Sequence, residues 1–84
     1  MVYSKNMVYN KVKITAVLAR NIKALREAHK MSLGDLGDSI GVSRQAIWNL
    51  ENEKSWITID KVEKLSKLFN IEQDVLFQNR IKLK

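Results

Sequence analysis

The sequence has 84 residues and contains no cysteine and no proline, only three glycines and a single histidine. Without cysteine no disulfide can staple a small domain, and a reducing, cytoplasmic setting is expected. The lack of proline and scarcity of glycine exclude the dense turns of an all-β fold and favour an all-α domain with short connections. No apolar run approaches the roughly 18 residues that a membrane-spanning helix needs. The first ten residues, MVYSKNMVYN, lack the continuous apolar stretch of a secretory leader. One histidine, no cysteine and no spaced pair of carboxylates leave little from which to build a catalytic site. Neither an enzyme nor a cofactor is expected, and nothing indicates a small-molecule ligand or a membrane partner.

What is present is positive charge. Fifteen Lys and Arg face nine Asp and Glu, a formal net charge of +6. In so short a chain this favours a polyanionic partner, nucleic acid first and an anionic membrane surface second. A domain of this size buries only about 60% of its unfolded surface, so a second copy of the chain is a natural source of further stability.

Helical periodicity organises the chain. Residues 1–12 read as an N-terminal arm or as an extension of the first helix. In the first helix Ile14, Leu18, Ile22 and Leu25 form one stripe, with Lys13, Arg20 and Lys23 largely off it. Thr15 or Asn10 is the candidate cap. A second helix opens at Ser32, where Ser32-Leu33-Gly34-Asp35 fits a capping box with Asp in place of Glu. Its apolar face is Leu33, Leu36 and Ile40, and Gly37 is expected to face the next helix at close range. Gly41 ends this helix in the left-handed conformation. Ser43 caps a third helix that runs to about Asn52, with Ile47 and Leu50 inward. Thr58 caps a fourth, with Ile59, Val62, Leu65 and either Leu68 or Phe69 buried, and Asn70 closes it. A short fifth helix, EQDVLF, follows. Residues 13–78 are thus expected to form the domain and residues 79–84 a basic tail.

Two short helices joined by a glycine-containing turn, here Gly41-Val42-Ser43, describe a helix-turn-helix at about residues 32–52. Its second helix can place its first turn in a major groove about 12 Å wide. Arg44 can donate two hydrogen bonds to guanine O6 and N7, and Gln45 can pair with adenine N6 and N7. Asn49 lies on the same face as Gln45. Trp48 admits either a thymine-methyl contact or a place at the rim of the core. Asn52, Lys54 and Ser55, just beyond the helix, suit phosphate contact, as do Ser32 and Ser43 at the two helix starts. Trp56 is expected to act as a lid on the core. Lys61, Lys64 and Lys67 are expected to form a solvated face, and His29 has no assigned chemistry.

The blocks NIKALR (Asn21–Arg26), MSLGDLGDSIGVSRQAIWNLEN (Met31–Asn52) and ITIDKVEKLSKLFNIEQDVLF (Ile57–Phe77) resemble the lambda repressor/Cro-like (XRE) helix-turn-helix family. The resemblance implies a five-helix, all-α DNA-binding domain. It assigns base reading to Arg44, Gln45 and Asn49, phosphate contact to Asn52 and Lys54, and a bridge between the first and third helices to Arg26 and Glu51. The sequence departs from the family at three points. Leu33 stands where glutamine is usual, Gly37 where alanine is usual, and Glu53 where glycine normally follows "EN". Either Glu53 adopts a positive φ, or the loop runs differently and Lys54 is displaced.

The function expected is a sequence-specific regulator of transcription, of the repressor type. It would bind double-stranded DNA as a homodimer, with recognition helices about 34 Å apart on a near-palindrome. Val75, Leu76, Phe77, Ile81 and Leu83 are the expected dimer surface, because they exceed what a small core needs at its C-terminal edge. A protein-interaction module of the same fold, such as an antitoxin or anti-repressor, is the alternative.

Overall fold

The computed structural model describes residues 14–78. These fold into four α-helices, α1 (Ile14–Ala28), α2 (Leu33–Ile40), α3 (Arg44–Glu51) and α4 (Ile59–Phe69), followed by a 3-10 turn at Gln73–Phe77. The expected fifth helix is thus a single 3-10 segment rather than an α-helix. Five residues close too few turns to sustain α-helical bonding, and Glu72 at its start provides no side-chain cap.

Each helix start is set by a short polar side chain. Ser32 Oγ accepts from the Asp35 amide at 2.9 Å, and the Asp35 carboxylate accepts from the Ser32 amide at 3.0 Å, a reciprocal box that satisfies two otherwise orphaned donors. Ser43 Oγ accepts from the Ala46 amide, and Thr58 Oγ1 from the Lys61 amide. Thr15 lies inside α1 and is not its cap, while Asn10 lies outside the described residues.

Helix ends follow one pattern. Lys30, Gly41, Glu53 and Asn70 all have φ between 55° and 77°. The residue after each donates its amide to a carbonyl five residues back: Met31 to Arg26, Val42 to Gly37, Lys54 to Asn49, Ile71 to Ser66. This is the Schellman stop. Only Gly41 supplies the conformation at no steric cost. Glu53 accepts the positive φ, so the chain keeps the usual path and Lys54 follows the helix directly.

The core joins Leu18, Ile22 and Leu25 of α1 to Leu36 and Ile40 of α2, Ile47 and Leu50 of α3, and Val62, Leu65 and Phe69 of α4. Leu76 fills the last gap and is fully buried. It therefore cannot belong to the expected dimer surface: the 3-10 turn points it inward as part of the chain's own core. Phe77 packs against the same cluster, Val75 is half-buried, and Ile81 and Leu83 lie outside the described residues. Asn21 holds this turn in place. Its Nδ2 donates to the carbonyls of Leu76 and Gln78, both at 2.8 Å, from a side chain 1% exposed. The lone histidine also has a packing role: His29 donates from a ring nitrogen to the Leu25 carbonyl and lies 4.8 Å from the Phe69 ring.

Three expectations about burial fail. Ile59 is 72% exposed, because as the first residue of α4 it precedes the turn that faces the core. Ile14 is likewise exposed at the described start of α1, and Trp56 projects into solvent at 80% exposure instead of closing the core. Of the pair left open in α4, Phe69 is buried and Leu68 is not.

Gly37 sets the angle between α2 and α3. A Cβ built there would stand 2.6 Å from the Val42 carbonyl oxygen and 3.1 Å from the Ser43 carbonyl. The turn backbone crosses α2 at a distance that no side chain permits. In this chain the absence of a side chain at Gly37 is what lets the turn pack this closely on α2, as its expected close approach to the next helix implied.

Candidate nucleic-acid interface

α3 has eight residues, and at about 100° per residue they divide into two arcs. Ile47 and Leu50 are buried. Arg44, Gln45 and Trp48 are exposed and Asn49 is half-buried, all on the opposite arc. Arg44 and Trp48 stand one above the other, as do Gln45 and Asn49. Trp48 is 41% exposed, so it stands on the outer arc with part of its surface covered.

The outer arc is chemically mixed. Arg44 makes no hydrogen bond or ion pair with any described residue, leaving its five donors available. Gln45 Nε2 donates to Asn49 Oδ1 at 3.1 Å. That bond orients both amides and leaves the Gln45 carbonyl oxygen as an acceptor and the Asn49 Nδ2 as a donor. A row of guanidinium, acceptor and donor matches what base edges present in a major groove.

The angle of α3 is held by Arg26 on α1. Its Nε donates to Glu51 Oε2 at 2.6 Å and its Nη2 to Glu51 Oε1 at 3.0 Å, while Nη1 donates to the Met31 carbonyl at 2.9 Å. The side chains are 13% and 4% exposed. The hydrogen bond to Glu51 raises the Arg26 pKa above its ordinary value. Glu51 is thus drawn back to α1 and away from the outer arc. The fork geometry fixes orientation as well as distance.

The candidate phosphate groups differ in readiness. The first turn of α3 contains no acidic residue, so its amides and Ser43 present an unopposed positive helix end. The start of α2 is less favourable. Leu33 packs against the core and offers no polar group. Ser32 uses its amide and an oxygen lone pair in the capping box, and its partner Asp35 is an exposed carboxylate. The Ser32 amide, and then its hydroxyl, push the Asp35 pKa below the ordinary carboxylate value. A phosphate there meets a second anion. Beyond α3, Asn52 Nδ2 donates to the Trp48 carbonyl at 2.9 Å, which commits one of its two amide hydrogens to capping the helix. Lys54 and Ser55 are exposed in the loop.

The chain matches the helix-turn-helix family model over residues 22–76, which spans α2, the turn, α3 and the elements that brace them. The chain belongs to the XRE-type helix-turn-helix family. A protein of Sulfurisphaera tokodaii named "Putative HTH-type transcriptional regulatory protein" is 42% identical over 60 residues, covering 69% of this chain and 20% of that protein. A protein of the same name from Sulfolobus acidocaldarius is 37% identical over 54 residues, covering 64% of this chain and 18% of its own length. The chain therefore spans about a fifth of the length of these relatives. No solved structure matches it.

Three features of this helix-turn-helix domain escaped the reading of the sequence. Asn21 falls three residues after Leu18 on the apolar stripe, so a polar residue in a core register was the available signal. The Gln45–Asn49 bond follows from their four-residue spacing. The third is a shallow apolar cavity of about 190 Å³ between α3 and the start of α4, lined by Val42, Ala46, Leu50, Trp56, Ile57 and Lys61 among others. No sequence signal marks it, because its walls come from three separate segments. Among the described residues no cluster of His, Cys, Asp or Glu is arranged to hold a metal, and no helix is long and apolar enough to cross a membrane.

Proposed function

We propose that this helix-turn-helix domain binds duplex DNA sequence-specifically in a regulator of transcription. It would act as a repressor-type homodimer on a near-palindromic operator. One observation carries the reading: the outer arc of α3 presents Arg44, Gln45, Trp48 and Asn49 together, with Arg44 unpaired among the described residues and no acid in the helix's first turn. Arg44 and Gln45 read bases, Asn49 extends the readout, and Trp48 packs on thymine methyls or the sugar edge. Ser43, Lys54 and Ser55 hold phosphates, with lesser parts for Asn52 and Ser32. Arg26 and Glu51 touch no DNA and fix the approach angle. The relatives' printed name agrees with a regulatory role.

Binding selection from random duplexes tests this directly. Recovery of a site with two related half-sites about one helical turn apart is expected. The slope of log affinity against log salt should be steep and lose about 0.9 for each phosphate contact removed. A second reading, a protein-interaction module of the same fold, draws on the exposed Trp56 and Ile59. Affinity for a protein ligand with no salt-dependent binding to any duplex would establish it and refute DNA recognition.

A further inference from the structure

A helix with its side chains is about 10–12 Å across, and the major groove that α3 is suited to enter is about 12 Å wide. Whatever stands on the flank of such a helix faces the wall of the groove. That wall is sugar and phosphate, whereas the base edges form the floor. Beyond Gln45 and Asn49 the flank of α3 begins at Ala46, about 100° further round the axis than Gln45. The surface there is open. A hollow of about 190 Å³ lies between α3 and the start of α4, with Ala46, Leu50 and Ile57 on its apolar side and Ser55, Trp56 and Lys61 around it.

The hollow combines two chemistries. Trp56 leaves 80% of its surface exposed, an aromatic face that can cover apolar C–H groups while its N–H donates at the edge. Lys61 is only 29% exposed at its side chain and lies 3.6 Å from the Asp60 carboxylate, so its stem runs along the protein and its charge reaches the rim. Asp60 lies 3.6 Å from Lys64 as well, and one carboxylate between two ammonium groups leaves a positive charge over. Lys54 and Ser55 are exposed in the same loop. A nucleotide of duplex DNA offers the complement, an apolar sugar ring joined directly to an anionic phosphate. An apolar peptide would leave the lysines idle, and a simple polyanion would leave the indole bare. The start of α2 is also a weakened phosphate seat, because the Asp35 carboxylate stands at Ser32. The flank beside α4 thus has more of the backbone grip to supply.

We propose that this hollow seats one deoxyribose of the strand that walls the groove beside α3, with the Trp56 indole against the sugar and Lys61 and Ser55 on its phosphate. Trp56 is then a positioning contact: it touches no base edge and fixes how α3 lies between the groove walls. The inference rests on the reading that α3 enters the major groove, and it adds to that reading an apolar hold on the backbone.

The test is equilibrium binding across a range of salt concentrations. The proteins are the 84-residue chain, Trp56→Ala, Trp56→Phe and Lys61→Gln, with circular dichroism to confirm folding. The probes are a short duplex of random sequence and the site recovered by binding selection. Trp56→Ala should weaken binding to both duplexes about tenfold with the slope against log salt unchanged, since an apolar contact releases no counterions. Trp56→Phe should restore most of the affinity. Lys61→Gln should flatten the slope by about 0.9. A Trp56→Ala protein that binds both duplexes like the wild type would overturn the proposal. So would a loss confined to the selected site, which would make Trp56 a base contact, or a Lys61→Gln slope equal to that of the wild type. Each of these leaves DNA recognition by α3 standing, whereas a wild type without salt-dependent binding to any duplex would remove both.

Discussion

Replacing Glu51 by alanine should be among the most damaging single changes outside the hydrophobic core. The carboxylate is 4% exposed and receives two hydrogen bonds from Arg26, at 2.6 and 3.0 Å. Removing one partner of a buried pair strands the other charge and costs about 3–5 kcal/mol. Arg26 is 13% exposed and keeps its bond to the Met31 carbonyl, so water and that carbonyl soften the loss toward the lower end, about 3 kcal/mol. For a domain of 60–100 residues each kcal/mol shifts Tm by about 4–8 °C, which makes a fall of about 12–24 °C. Urea and thermal unfolding of Glu51→Ala would measure it. The double variant Arg26→Met/Glu51→Leu should recover much of the loss, since an apolar pair strands no charge. DNA affinity measured well below the melting range should also fall in Glu51→Ala, because α3 loses the brace that sets its angle. A cost below about 1 kcal/mol, typical of a solvent-exposed bridge, would refute the claim that this pair holds the recognition helix.

Other consequences can be checked in the same preparations. Arg44→Ala should lose about 1–3 kcal/mol on the preferred site and relax discrimination at one base pair; a uniform loss across sequences, read by competition binding, would make Arg44 a phosphate contact instead. Gly37→Ala relieves a helix penalty of about 1 kcal/mol but drives a Cβ to 2.6 Å from the backbone oxygen of Val42. Backbone cannot rotate aside, so a net destabilisation of about 1–2 kcal/mol in urea unfolding is expected. Lys30→Gly and Glu53→Gly remove left-handed strain at φ 57° and 60° and should each stabilise by about 0.5–1 kcal/mol, additively in a thermal melt. Asp35 has a depressed folded pKa, so its contribution is complete above the ordinary aspartate value of about 3.9 and is lost as pH falls through the lower folded value. The stability gap between wild type and Asp35→Asn should therefore close on acidification through that window, followed by urea midpoints.

Local chemistry was legible in the sequence wherever one or two turns of chain decide the outcome. Ser32, Ser43 and Thr58 mark helix starts because an N-cap needs only a side chain and an amide three residues on, and Gly41 and Asn70 mark ends because the left-handed cap is a single-residue choice. The outer arc of α3 follows from helical spacing alone. Arg26 and Glu51, 25 residues apart, were reachable only through family resemblance, since no local rule brings them together. Tertiary structure decided the rest. Leu76 is as apolar as an interface residue and as a core residue, and only the packing of the 3-10 turn under Asn21 makes it core. Trp56 and Ile59 read as buried because hydrophobicity predicts a need for cover without saying which surface provides it. Their exposure at the lip of a cavity, like the closeness of Gly37 to the turn, depends on where separate segments meet in space. That meeting is set by the summed packing of all four helices, which no short stretch of sequence contains.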